Sequence, residues 1–144
     1  MAGFKAYVMV DDFDVTDVFD KSYKNNSKLK KAMKAAAEKA IDSSPKLTTT
    51  PPKPENKLPQ FYLTGTLSKL TLEEGKKNSV LKGKVEMVLG TYPDKSLFGF
   101  PTGSAPLDVF NMKKIDNDVE ELAVAIVKDT VEKKVVAAIV AKLP

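Results

Sequence analysis

Residues 58–90 read LPQFYLTGTLSKLTLEEGKKNSVLKGKVEMVLG. Phe61, Leu63, Gly65 and Leu67 occupy alternate positions, and further on Leu81, Val85, Met87 and Leu89 alternate with Lys82, Lys84 and Glu86. A side-chain period of two sends one set to each face of a strand, so both runs read as half-buried β-strands. The segment EEGKKN between them is polar and carries Gly75, which makes the pair a β-hairpin over residues 60–72 and 80–89. Leu70 and Leu72 have the opposite parity to Leu67, a switch that predicts a β-bulge at Ser68 and Lys69.

Working outward, residues 4–10 alternate as a first strand, with Phe4, Ala6, Val8 and Val10 on one side. The stretch DDFDVTDVFD that follows reads as an ordered acidic loop. Leu29, Met33, Ala36, Ala37, Ala40 and Ile41 then recur at spacings of three and four behind the N-cap candidates Asn25, Asn26 and Ser27, predicting an amphipathic helix over residues 27–42. Residues 43–59 hold five prolines and no apolar period. Proline fixes φ and removes an amide donor, so this is a semi-rigid extended loop that must pack against something to be ordered. A short strand is expected at 96–100, resuming near 105–109. The last element is a helix from Asn117, with Glu120 three residues on as a capping-box partner, to Lys142.

The predicted fold class is therefore α+β: a largely antiparallel sheet with two helices packed on it, in the order β-α-(long proline loop)-β-β-(short β)-α. At 144 residues, with 42% hydrophobic and 29% charged, the chain is expected to be one domain spanning residues 1–144.

Composition narrows the chemistry. There are 23 lysines and no arginine, and there is no His, Cys or Trp. A disulfide framework, a Cys or His nucleophile, imidazole or thiolate metal ligation and a histidine pH switch are excluded. The net charge of +4 comes from 23 cations against 19 anions, a mixed surface rather than a polycation. Without the planar fork of arginine, no specific nucleic-acid partner is expected. The six lysines between Lys24 and Lys39 read as the wet face of the first helix, with an acidic partner as the alternative.

Motif tests fail one by one. GTYPDKS at 90–96 lacks the second glycine of a phosphate loop, and GFPTGSAP at 99–106 is no dinucleotide fingerprint. An EF-hand begun at Asp12 would need glycine where Asp17 stands and glutamate where Tyr23 stands, so the acidic loop offers at most a loose site for a hard cation. No SxxK motif occurs. The expectation is a non-catalytic protein with no cofactor, metal or catalytic residue.

The helix, the proline-bearing loop and LPQFYLTGTLSKLTLEEGKKNSVLKGKVEMVLG resemble the terminator and completion proteins of phage tails and related contractile particles. That resemblance implies a helix before an antiparallel hairpin and several copies forming a ring. VMVDDFD, the following helix, FYLTGTLSKL and VEMVLG are also similar to the envelope domain of curli-secretion lipoproteins and of lipoprotein activators of cell-wall synthases.

The function expected on these grounds is a structural or assembly protein of a phage-tail-like particle, its partners being copies of itself and other particle proteins. The alternative is a cytoplasmic or envelope-associated accessory module binding one partner protein. Residues 1–13 show no secretory core or cleavage site, and no run approaches the ~18 apolar residues of a membrane span, so cytoplasmic synthesis and incorporation into a virion or contractile assembly are expected. Leu47, Pro52 and Leu58 in the proline loop and Phe98 and Phe100 in the loop 97–106 are the candidate interface residues. On the last helix, Val135, Ile139 and Leu143 continue the stripe of Leu122 and Ile126, whereas Val136 and Val140 lie about 100° around and are candidates for a neighbouring subunit.

Overall fold

The computed structural model describes residues 5–16, 26–53, 55, 57–76, 78–111, 113 and 115–143. The hairpin predicted from alternation is its centre. Strand β4 (Gln60–Glu74) pairs antiparallel with β5 (Ser79–Thr91), and the register shifts between Leu67 and Lys69, where the bulge was expected. Ahead of the shift Phe61, Leu63 and Leu67 are buried; beyond it Leu70 takes over. One extra residue has kept the apolar side chains of a long strand on a single face.

On one side of the hairpin, β1 (Ala6–Val10) and the two-residue β2 (Asp14–Val15) both pair with β4, and β3 (Leu47–Thr48) pairs with β1. All three pairings are parallel, so the sheet is largely antiparallel as expected but mixed, with parallel pairs that the sequence did not announce. Helix α1 (Asn26–Asp42) is the cause: it carries the chain back along the sheet between β1 and β4, so both strands start from the same end. On the other side, β6 (Leu97–Gly99) and β7 (Thr102–Val109) pair antiparallel with β5. The mixed sheet has seven strands.

Helix α2 (Ile115–Thr130) begins two residues before the expected cap at Asn117, which lies in its first turn. It runs into a π-helical turn (Val131–Val135) and a last segment, α3 (Val136–Lys142), in place of one regular helix. The wide turn follows from the apolar spacing. Val131, Val135 and Ile139 are four residues apart, and at about 100° per residue a regular helix would rotate them progressively off the stripe of Leu122 and Ile126. Widening one turn absorbs part of that rotation, and all three are fully buried. They join Leu29, Met33, Ala37 and Ile41 of α1 and the inner face of the sheet in one continuous core.

The proline loop is partly built into the sheet. Asp42 at the end of α1 accepts hydrogen bonds from the Thr49 backbone N–H (2.9 Å) and hydroxyl (2.7 Å), which turns the chain so that Leu47 pairs with Ala6. Leu47 is fully buried. It is a core residue and not the partner-facing anchor expected of it.

Candidate interaction surface

The segment that follows β5 is built to hold a short strand against the hairpin. Gly90 is required there by close approach, since a Cβ would meet the Ser96 carbonyl oxygen at 2.9 Å. The turn between is tied by the Thr91 hydroxyl donating to Asp94 (2.7 Å) and by the Thr91 N–H donating to the Ser96 carbonyl (3.0 Å). Lys95 adopts a left-handed φ of 56° and lays its amine 4.7 Å from the centre of the Tyr62 ring. The Tyr62 hydroxyl in turn donates to Asp11 (3.2 Å); burial first, and the Asp11 charge second, push this phenol above its ordinary pKa.

Strand β6, so placed, is irregular, its register with β5 shifting between Leu89 and Gly90. Phe98 turns in and packs edge-on against Phe61 with ring centres 5.9 Å apart, and the Lys142 amine at the end of α3 lies 5.0 Å over its ring. Leu97 and Phe100 turn out, and they are 50% and 67% exposed. The two phenylalanines read together in the sequence thus have separate roles, Phe98 as an anchor and Phe100 as a presented side chain. Phe110, which the sequence reading missed, is 82% exposed just beyond β7. The signal was available: Val109 is the last inward residue of an alternating strand, so its successor faces out.

The other candidates are distributed around the molecule. Pro52 and Leu58 are half-buried in the proline loop, and Val136 and Val140 are half-buried on α3, Val136 packing on the core.

The acidic loop is occupied by the protein's own cations. Phe13 points inward against Gly65, while Asp12 and Asp14 pair with Lys34 (3.1 Å) and Lys30 (3.2 Å) of α1. The backbone N–H of Val15, then Lys30, hold the Asp14 carboxyl below its ordinary range. Among the described residues no group of three or more acidic or other metal-binding side chains is arranged to hold an ion; Asp17 and Asp20 lie outside them. The lysine-rich face of α1 therefore has an acidic partner within the same chain. No helix is long and apolar enough to cross a membrane among the described residues.

No family model and no curated protein matches this sequence. Solved structures do. Protein XCC0632 of Xanthomonas campestris, from family DUF330, superimposes with a TM-score of 0.63 at 8% identity, covering 97% of this chain and 91% of that one. Lipoprotein GNA1162 of Neisseria meningitidis gives 0.53 at 11% identity over 86% and 96% of the two chains, and the PelC dodecamer of Paraburkholderia phytofirmans gives 0.50 at 7% over 92% and 89%. The chain shares their fold. This overturns the resemblance to phage-tail terminator proteins, because the structures that superimpose are a DUF330 protein, a lipoprotein and PelC, and not tail proteins. The expected incorporation into a virion or contractile particle, the particle proteins as partners and the cytoplasmic location are withdrawn with it.

Proposed function

We propose that this chain is a non-catalytic accessory module of the bacterial envelope that works through protein–protein contacts, including contacts with copies of itself. The observation that carries the reading is the outward pair of Leu97, on β6, and Phe100, just beyond its end, beside the inward Phe98 that pins the strand. Apolar side chains held rigidly in water lose little conformational entropy when a partner covers them, which is what an interface anchor requires. The fold is shared with lipoproteins and with a protein that forms a dodecamer, and both support an envelope setting and self-association. The absence of His, Cys and Arg supports a non-catalytic role by removing the common nucleophile–base pairs and anion clamps.

Sedimentation of the purified chain across a concentration series tests the reading. The parent is expected to self-associate, and Leu97→Ser with Phe100→Ser to weaken that association at least tenfold, since each burial contributes about 1.5–3 kcal/mol. A parent that stays monomeric at every concentration, or a double variant that associates like the parent, would overturn it.

A further inference from the structure

Away from that surface, a cleft of about 560 Å³ lies between β7 and the flank of α2 with its π-helical turn. Its lining includes Thr102, Ser104, Thr130 and the three lysines Lys84, Lys133 and Lys134, with Asp129 as the one acidic group. We propose that this cleft binds a phosphate-bearing anion.

Three independent features point there. First, Thr130 is only 3% exposed, and its hydroxyl has no hydrogen-bond partner among the described residues. It lies where a side chain at 103 would stand, 1.9 Å from the Cβ that Gly103 lacks. Buried hydroxyls are normally satisfied, so one left open on the wall of a cleft is a donor waiting for an acceptor.

Second, the strand edge in the cleft carries free backbone groups. Pro106 has no N–H, so its pairing with Lys82 is not hydrogen-bonded, and alternation then turns the backbone groups of Ser104 and Thr102 away from β5. The Thr102 carbonyl shows this directly, because it accepts the Lys134 amine instead of a strand. The Ser104 N–H is left facing the cleft side of the edge with no partner among the described residues.

Third, the charge is cationic and loosely held. Lys133 pairs with Asp129 at 2.9 Å and Lys84 with Glu86 at 3.5 Å, both exposed. Such pairs are weak enough to be exchanged for a ligand oxygen. Amines, hydroxyls and a backbone N–H approaching from different sides suit an anion with several acceptor oxygens better than a planar carboxylate. The π-helical turn is what places Lys133 and Lys134 here while Val131 and Val135 stay in the core.

The test is titration of the full chain with pyrophosphate at physiological ionic strength, followed by backbone amide NMR shifts. In parallel, co-sedimentation is measured with phosphatidylglycerol vesicles and with phosphatidylcholine vesicles. Saturable shifts confined to residues 102–105 and 129–134 are expected, or saturable binding to phosphatidylglycerol alone; the first result identifies a free phosphate ligand and the second a lipid headgroup. Lys133→Gln with Lys134→Gln should weaken binding about tenfold or more, as losing charge-assisted hydrogen bonds does. Thr130→Val, which keeps the shape, should weaken it several-fold. Lys28→Gln with Lys31→Gln on α1 removes the same charge elsewhere and should leave binding intact, as should Phe100→Ser. Failure of both probes to bind saturably, equal losses in the two lysine pairs, or shifts centred elsewhere would overturn the proposal.

Discussion

Gly103 is the residue on which the seating of the last helix depends. The missing Cβ is where the Thr130 hydroxyl lies, so Gly103→Ala forces a displacement in a packed layer and is expected to cost about 1–3 kcal/mol. Thr130→Ala in the same chain should recover part of that loss, and thermal or denaturant unfolding of the single and double variants measures it. Asp14 carries a pH-dependent contribution. Its carboxyl is held low in the folded state, so the stabilisation is present above the ordinary value of about 3.9 and is lost as pH falls through the lowered one. Because the Val15 N–H is the larger cause, Lys30→Ala should raise the Asp14 pKa yet leave it below the ordinary range, as carboxyl NMR titration can show.

The π-helical turn makes a prediction at the scale of the element. It acts as one inserted residue, and Glu132 within it is exposed. Deleting Glu132 should let the segment relax to a regular helix without moving Ile126 or Ile139 off the core, at a cost of about 1–2 kcal/mol. Deleting Glu121 instead would rotate everything beyond it by about 100° and carry Ile126 and Val131 out of the core, so that variant should not fold cooperatively. Circular dichroism melts of the two deletions decide the matter; equal damage in both would mean the turn has no such role. The bulge in β4 solves the same problem with the same device, one residue that resets parity between Leu67 and Leu70.

For the whole molecule, both helices cover one face of the sheet, and apolar side chains remain outside at particular places only. Leu97, Phe100 and Phe110 are the large apolar side chains exposed among the described residues. Phe100→Ser should therefore leave the melting temperature of the monomer unchanged while reducing self-association. Val136→Lys should lower the melting temperature, because Val136 packs against the monomer's own core. Melting curves recorded beside sedimentation separate the two effects, and a Phe100→Ser chain that melts early would show Phe100 to be structural.

Local patterns determined much of this protein from the sequence alone. The hairpin, its bulge, both helical stripes and the exclusion of His- and Cys-based chemistry are properties of neighbouring residues or of composition, and short-range periodicity records them. Tertiary structure decided what depends on residues far apart in the chain. Nothing in AYVMV states that β1 runs parallel to β4, because a lone strand pairs equally well either way until a helix sets its direction. Leu47 reads as a loop residue among prolines until β1 comes beside it and buries it. Phe98 and Phe100 are the same residue type two positions apart, which in a regular strand would share a face; the chain leaves β6 at Gly99, and only the packing of Phe61 shows which of them turns inward. Lys84, on a strand, is 49 residues from Lys133 and 50 from Lys134 in the π-helical turn, so the meeting of these lysines in the cleft is a fact of the fold and not of the sequence.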